Sequence, residues 1–250
     1  MNSNIILPYL NKISVVIAAA GKGSRSGLDY PKCLFKIDDL SILERILKKL
    51  RHVDDNPKII VSPSGYRRVL DELRAANSSA DLIIQDHPNG MGDAVLQLDP
   101  INSELNENIL LIWGDVPFIS IDTINRTILR HFTQNNSFTL PTITTKNPYT
   151  IVKRNKKNEI SGIIETKNKL KKSIPSYGER DLGLFLFKKD IVLKLLKQDL
   201  PNKFNNEDSE HGFLYLIEHL FRNYEKIGSV KVKNLKESLS LNSIEDLQAK

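Results

Sequence analysis

The residues best suited to chemistry lie in a glycine-rich loop near the amino terminus. Ala18-Ala-Ala-Gly-Lys-Gly-Ser-Arg25 follows an apolar, β-branched run, and Pro31-Lys32 comes six residues later. A glycine-rich turn at the carboxyl end of a strand lets backbone N–H groups approach a phosphate closely, and Arg25 and Lys32 can add charge-assisted hydrogen bonds. This combination predicts a binding site for a triphosphate.

The loop differs from two better-known phosphate-binding motifs. It lacks the Gly-Lys-Ser/Thr ending of the Walker loop, and Arg25 takes the place of the third glycine of the dinucleotide fingerprint. The alternative interpretation is a plain glycine turn with surface cations, because short glycine motifs match many unrelated sequences.

The elements that must position this loop alternate between strand and helix in the first half of the chain. The apolar run 12–20 predicts a buried strand ending at Gly21, and Ser41 before apolar residues at helical spacing predicts a capped helix over 41–50. Further strands are predicted at 58–62, 82–85 and 109–113, and further helices at 66–76, 93–98 and 121–132. This alternation implies a mainly parallel sheet covered by helices on both faces.

The pattern changes after about residue 137. Four β-rich segments without intervening helices, 138–144, 149–154, 160–165 and 182–187, indicate an antiparallel extension beside the main sheet. Helices are then predicted at 189–197 and 213–224, with a last strand at 229–232 and a closing helix near Ser243. We therefore predict an α/β fold, a Rossmann-like mostly parallel sheet flanked by helices with a small antiparallel β extension, in a single domain over 1–250.

Composition limits the class of partner. The chain is 40 % hydrophobic and 26 % charged, as in an ordinary globular protein. No apolar run approaches the ~20 residues of a membrane span, so we expect none. The net charge is +6, but the lysines are spread along the whole chain, so we expect no nucleic-acid partner. A single cysteine, Cys33, and five scattered histidines exclude a disulfide framework and zinc-site spacing, which favours a cytoplasmic protein.

The loop and Pro31-Lys32 together resemble the signature of the sugar-1-phosphate nucleotidyltransferases, Ala-Ala-Gly-x-Gly-x-Arg followed by Pro-Lys. Within that family the sequence looks most like the N-acetylglucosamine-1-phosphate uridylyltransferase domain. Further similar segments follow in family order: Gln85 with Asn89-Gly-Met-Gly-Asp-Ala-Val95, Trp113-Gly-Asp-Val-Pro117, Ile163-Ile-Glu165-x-Lys167, Asp181-Leu-Gly183 and Leu241-Asn242-Ser243. The resemblance therefore covers nearly the whole chain.

The resemblance implies a nucleotide-diphospho-sugar transferase-like fold and a role for each matched position. The implied catalytic residues are Arg25 and Lys32. The implied nucleotide-binding residues are Ala19, Ala20, Gly21, Gly23, Gln85, Gly90, Met91 and Gly92. The implied residues for the sugar phosphate are Asp115, Thr150, Glu165, Asp181 and Asn242. Asp115 and Asn242 would hold Mg2+, which prefers such hard oxygen ligands. The nucleotide-binding half is then 1–136 and the sugar-binding half 137–250.

Three positions depart from the family pattern and leave the substrates open. Met91 replaces a threonine, Thr150 a glycine and Asp181 an asparagine. UTP with an N-acetylhexosamine or hexosamine 1-phosphate is favoured. The alternatives are a guanylyl- or cytidylyltransferase that acts on a sugar or polyol phosphate, and a non-catalytic nucleotide-sugar sensor, because a fold does not fix a function. We expect nucleotidyl transfer alone, because the hexapeptide repeats of an acetyltransferase half do not follow Asn242.

Overall fold

The computed structural model describes residues 3–21, 27–166, 175–204 and 210–241. Its strands are β1 (Ile13–Ala18), β2 (Lys36–Ile37), β3 (Leu40–Ser41), β4 (Lys58–Val61), β5 (Asp81–Ile84), β6 (Asn108–Trp113), β7 (Phe138–Lys146), β8 (Thr150–Arg154), β9 (Ile160–Glu165), β10 (Tyr177–Asp181), β11 (Leu184–Lys188) and β12 (Ile227–Lys231). Its α-helices are α1 (Leu7–Leu10), α2 (Ile42–Leu50), α3 (Pro63–Ala75), α4 (Met91–Leu96), α5 (Ile121–Thr133), α6 (Lys189–Lys197) and α7 (Leu216–Arg222). Short 3-10 helices lie at Ser3–Ile6, Lys32–Leu34, Asp99–Glu104 and Leu235–Ser238.

One large mixed sheet organises the described residues. Its strands follow the order β5-β4-β1-β6-β11-β7, and β10 and β12 also pair with β7. β1 pairs in parallel with β4 and β6, and β4 pairs in parallel with β5. β11 lies antiparallel between β6 and β7. The predicted mostly parallel sheet flanked by helices is therefore confirmed.

The second half of the chain is more closely joined to this sheet than the sequence predicts. β7, β10 and β11 extend the large sheet itself through antiparallel pairs, and β12 pairs with β7 in parallel. Within the described ranges, β8 and β9 form a separate antiparallel hairpin, and β2 and β3 form a second small pair. The bend that separates β10 from β11 uses Gly183, whose φ of 70° favours glycine.

The core lies on both faces of the sheet. Along β1, Val15 and Ile17 belong to the apolar cluster that includes α2, α3 and α5, whereas Val16 and Ala18 belong to the cluster that includes α4, α6 and α7. Successive strand residues point to opposite faces, so β1 is buried throughout its length. This burial explains why its sequence is apolar except for Ser14.

Serine caps begin the three longer helices on one face. The side chains of Ser41, Ser62 and Ser120 accept hydrogen bonds from the backbone N–H groups of the first turns of α2, α3 and α5. The cap predicted at Ser41 is confirmed. α3 starts at Pro63 and not at residue 66 as predicted, because proline has a helix-compatible φ and needs no N–H partner in the first turn.

The last part of the chain was predicted to contain two helices. The helix predicted over 213–224 is shorter, since α7 spans Leu216–Arg222. The closing helix near Ser243 lies outside the described residues. Among the residues that are described, no helix is both long and apolar enough to cross a bilayer.

A buried histidine makes stability depend on pH. His131 is 2 % exposed, and its ring nitrogens lie 3.0 Å from Thr139 Oγ1 and 3.0 Å from Asn108 Oδ1. Burial, with a contribution from Lys188, lowers the pKa of His131 from 6.5 to about 4. The unfolded chain therefore takes up a proton near pH 6.5 that the folded chain does not, and stability is lost as the pH falls below that value.

We expect His131→Gln to reduce this pH dependence. Between pH 7.5 and 5.5 the wild-type free energy of unfolding should fall by about 1.3 kcal/mol more than that of the variant. Urea unfolding of both proteins at the two pH values measures the difference. The change in the free energy of unfolding between the two pH values is compared, and not its absolute value, because the substitution also changes packing. An equal change in the two proteins would show that His131 does not cause the pH dependence of stability.

Candidate active site

The candidate site lies at the edge of the sheet where the parallel strands end. β1, β5 and β6 finish there at Ala18, Ile84 and Trp113. β11 is antiparallel to β6 and starts at the same edge, with Leu184 opposite Ile112. Open α/β sheets bind ligands at the carboxyl ends of their parallel strands. The predicted site residues therefore approach this edge from both halves of the chain.

The start of the glycine-rich loop is fixed by backbone contacts. Ala19 N–H donates to the Ile60 carbonyl (2.8 Å), and Gly114 N–H donates to the Ala18 carbonyl (2.9 Å). A Cβ on Gly114 would lie 3.0 Å from that carbonyl oxygen, so glycine permits the close approach. Ala18 and Ala19, which begin the loop, are thereby held against the turn that carries Asp115. Gly23 and Arg25 lie outside the described residues.

Lys32 and Asp115 form the charged centre of the site. Lys32 Nζ lies 3.1 Å from Asp115 Oδ2, and the two side chains are 17 % and 18 % exposed. Lys32 begins a 3-10 helix after Pro31, whereas Asp115 follows β6, so the pair joins segments 83 residues apart in sequence. The structure thus brings together two residues that the sequence placed in one site.

Asp115 retains an oxygen that can bind a cation. Its Oδ1 is buried and has no hydrogen-bond partner among the described residues. An unpaired buried carboxylate oxygen is costly, and a divalent cation would satisfy it. Leu241, the last described residue, donates its N–H to the Asp115 carbonyl at 3.1 Å. Asn242 comes next in sequence, but it lies outside the described residues.

The predicted nucleobase residues form a second group after β5. Gln85 is buried, and its Nε2 donates to the Gly90 carbonyl (3.2 Å) and to Asp93 Oδ2 (2.8 Å). Both partners are acceptors, so they occupy both amide protons and leave Oε1 as the group that can receive a donor. Met91 is the first residue of α4 and is half-buried.

His211 is a site residue that the sequence did not indicate. Its backbone N–H donates to the Asn89 carbonyl (2.6 Å), and its carbonyl accepts from Gly92 N–H (2.9 Å). A Cβ on Gly90 would lie 2.5 Å from the His211 carbonyl oxygen, and one on Gly92 would lie 2.6 Å from the His211 ring. The two glycines are therefore required by this contact, and their predicted contact with a base stays a prediction. No local motif marks this contact, because Asn89, Gly90 and Gly92 are more than 100 residues from His211 in sequence.

The two predicted sugar residues that depart from the family pattern contact each other. Asp181 is fully buried; its Oδ1 accepts from Thr150 Oγ1 (2.5 Å) and its Oδ2 accepts from Gly183 N–H (2.9 Å). Gly183 in turn contacts Trp113, because the backbone N–H of Trp113 donates to the Gly183 carbonyl at 2.9 Å. The pair is thus linked through Gly183 to the strand that leads to Asp115.

Two further residues complete this side of the site. Glu165 ends β9 with an exposed side chain, opposite Thr150 in the β8–β9 hairpin. Trp113 was assigned no role from its sequence context, although its indole N–H is buried and lacks a partner among the described residues. A buried indole N–H normally finds an acceptor, so Trp113 could donate to a bound molecule. The position of Trp113 directly before Gly114 and Asp115 was the signal in the sequence that could have indicated this role.

Comparison with known proteins finds one matching domain family and a set of bifunctional relatives. Residues 15–174 match the MobA-like NTP transferase domain. The bifunctional protein GlmU of Streptococcus sanguinis is 30 % identical over 229 residues, which are 91 % of this chain and 48 % of that protein. GlmU of Streptococcus gordonii is 29 % identical over 229 residues, and GlmU of Streptococcus pyogenes serotype M3 is 30 % identical over 231, both with the same shares covered. The chain therefore spans about half the length of the curated relatives it matches.

Proposed function

Because this chain belongs to the MobA-like NTP transferase family, we propose that it joins a nucleoside triphosphate to a sugar 1-phosphate, giving a nucleotide-sugar and pyrophosphate. The predicted family resemblance and the nucleotidyltransferase class are confirmed by the family match and the curated relatives. The observation that best supports the proposed reaction is the Lys32–Asp115 pair, which lies next to the turn that contacts Ala18. We place the reaction in the cytoplasm, since a chain with one cysteine forms no internal disulfide.

The proposed reaction is a single in-line displacement. A phosphate oxygen of the sugar 1-phosphate attacks the α-phosphorus of the triphosphate. A new oxygen–phosphorus bond forms, and the bond to the oxygen that bridges to the β-phosphate breaks, so pyrophosphate leaves with that electron pair. The nucleophile is already an anion at neutral pH, so the reaction needs no general base. Catalysis then depends on positioning and on neutralising charge.

The charged residues have separate parts in this scheme. Lys32, with Arg25 by resemblance, neutralises the phosphates of the bound triphosphate. Asp115 and Asn242 would hold Mg2+, and the unpaired buried Oδ1 of Asp115 supports this assignment. When bound, the ion supplies positive charge against the phosphate oxygens.

The order of the strands suits a nucleotide laid along the sheet edge. Gln85 follows β5 and Asp115 follows β6, and these strands are separated by β4 and β1. Three steps between neighbouring strands of about 4.8 Å each place the two ends roughly 14 Å apart. A triphosphate with its base near Gln85 and its phosphates between the β1 loop and Asp115 would span this interval. The sugar phosphate would then lie towards Thr150 and Asp181, in the second half of the chain.

The network around Gln85 narrows the choice of base. Its amide protons are engaged by Gly90 and Asp93, so Oε1 is best matched by a ring N–H. Uracil and guanine present such a group, and together with the resemblance this favours UTP, with GTP as the runner-up.

Pyrophosphate release from each of the four triphosphates, combined in turn with several sugar 1-phosphates and a polyol phosphate, tests the proposed function. We expect the highest kcat/KM with UTP and a hexosamine-type 1-phosphate. A strong preference for GTP or CTP would overturn the uridylyl assignment. Binding without pyrophosphate release from any pair would instead indicate a sensor.

The Thr150–Asp181 hydrogen bond leads to a prediction about the sugar. A carboxylate only accepts hydrogen bonds, so the hydroxyl proton of Thr150 is committed to Asp181. In Asp181→Asn the side-chain amide can donate to the Thr150 oxygen. The hydroxyl proton of Thr150 is then available to a sugar carbonyl. We expect the ratio of kcat/KM for N-acetylglucosamine 1-phosphate over glucose 1-phosphate to rise about three- to tenfold, the worth of one hydrogen bond.

A double variant tests the cause of that change. Thr150→Val has no hydroxyl, so Asp181→Asn combined with Thr150→Val should lose the gain. Kinetics with glucose, glucosamine and N-acetylglucosamine 1-phosphates would measure it. An unchanged ratio in Asp181→Asn would mean that this pair does not distinguish the substituent at the 2-position.

A further inference from the structure

The loop that follows β6 is tied to segments distant in sequence. We call residues 115–120 the metal loop, since they run from Asp115 to the N-cap of α5. Lys49 Nζ, from α2, donates to the Pro117 carbonyl at 2.6 Å. Glu237 Oε2 accepts from Ser120 N–H at 2.9 Å, and the Asp115 carbonyl accepts from Leu241 N–H at 3.1 Å. Three of its backbone polar groups are therefore held from outside the loop.

Glu237 is unusual among these partners because its carboxylate is inside the protein. Glu237 is 5 % exposed and lies in the 3-10 helix Leu235–Ser238. Burying a carboxylate is unfavourable unless hydrogen bonds or positive charge compensate it. Ser120 caps the 13-residue helix α5, so Glu237 faces the positive end of a helix dipole. The same 3-10 helix carries Lys236, whose Nζ lies 5.1 Å from the centre of the Phe118 ring.

These contacts act on the metal loop from two sides. Lys49 holds the middle of the loop to α2, and Glu237 holds its end to the segment that continues to Leu241. Asp115 is the first residue of the loop, and its Oδ1 has no partner among the described residues. Lys32 holds the other oxygen, Oδ2, and the loop backbone sets the position from which the whole carboxylate extends.

We propose that Glu237 and Lys49 are positioning residues for the cation site: they fix the metal loop so that Asp115 Oδ1 is already oriented to bind a divalent ion. This inference rests on the proposed function. Groups that orient a metal ligand without touching the metal typically contribute 10- to 100-fold to affinity. Neither residue contacts the reacting atoms in this scheme.

Direct ion binding tests the proposal without turnover. Mn2+ is titrated into the whole protein in the presence of the α,β-methylene analogue of UTP, and free Mn2+ is followed by electron paramagnetic resonance. Glu237→Ala should weaken Mn2+ binding by about tenfold. Glu237→Gln keeps an oxygen that accepts from Ser120 N–H, so it should stay within about threefold of wild type. The Mg2+ concentration for half-maximal rate should rise in Glu237→Ala, while the KM for the sugar phosphate at saturating Mg2+ stays unchanged.

Glu225→Ala is the matched control. Glu225 Oε2 accepts a hydrogen bond from Ser137 Oγ. Ser137 precedes β7, and its carbonyl accepts a hydrogen bond from the Lys188 N–H. Lys188 in turn pairs with Asn108, the first residue of β6. This contact is therefore at the opposite edge of the sheet. Its loss should leave Mn2+ affinity at the wild-type value.

A second variant covers the case in which Glu237→Ala does not fold. Lys49→Met removes the tie to Pro117 and should weaken Mn2+ binding in the same direction. Wild-type affinity in every folded variant of Glu237 and Lys49, or an equal loss in Glu225→Ala, would overturn the proposal. If the wild-type protein makes nucleotide-sugar but binds no Mn2+, the positioning role fails while the reaction stands. If it makes none, the proposed function fails as well.

Discussion

Replacing Asp115 with alanine is expected to lower turnover by about 100-fold or more, a loss of at least about 2.7 kcal/mol in transition-state stabilisation. The substitution removes the buried Oδ1 that is proposed to bind Mg2+ and also the Oδ2 that holds Lys32. The fold should persist, because the Asp115 backbone contact with Leu241 does not need the side chain. Pyrophosphate release at saturating substrates and Mg2+ measures the effect.

Asp81→Ala provides a matched control for that result. Asp81 pairs with Lys58 at the starts of β5 and β4, the opposite edge of the sheet from Asp115. Losing this surface pair should change the free energy of unfolding by at most about 1 kcal/mol and leave turnover unchanged. Near-normal turnover in Asp115→Ala would refute the metal role.

Replacing Lys32 with alanine should lower turnover about 100-fold while changing the KM for the triphosphate less than about threefold. The reason is that the Lys32 ammonium is matched to negative charge that increases at the phosphates in the transition state. Lys58→Ala removes an ammonium from the amino edge of the sheet, with the same 17 % side-chain exposure as Lys32, and should retain wild-type kinetics.

The double variant of Lys32 and Asp115 adds a test of their contact. Because the two side chains lie 3.1 Å apart, their effects should not add, and the double variant should be little slower than the worse single one. An effect of Lys32→Ala confined to KM would make Lys32 a binding residue only. Strict additivity would indicate that the two residues act independently.

Local patterns in the sequence were sufficient to predict the first half of the fold. The nearly continuous apolar run of β1 indicates a strand covered on both faces, and Ser41 before a helical repeat indicates the start of α2. Both depend on neighbours within a few residues. The start of α3 was misplaced because Pro63 and Gly65 resemble a turn in composition, although proline is favourable in the first turn of a helix.

The sequence could not predict contacts between distant segments. The glycines at 90 and 92 are predicted base contacts, and the structure adds a requirement that the sequence does not show, the close approach of His211. Asp181 stays a predicted sugar residue, but the sequence did not show that its oxygens accept hydrogen bonds from Thr150 and Gly183. Such pairings depend on which strands become neighbours.

The contact between Leu241 and Asp115 also constrains when the site can form during synthesis. The two residues are 126 positions apart (241 − 115), and their hydrogen bond joins the last described segment to the end of β6. At a translation rate of about 5–20 residues per second, Leu241 is added roughly 6–25 s after Asp115. During most of that interval the strands from β1 to β6 can assemble and Asp115 can meet Lys32, while the contacts of Asp115 with Leu241 and of Ser120 with Glu237 are still missing. A ribosome-bound chain stalled before residue 235 should therefore have much of its nucleotide-binding half in place and still be unable to catalyse the reaction.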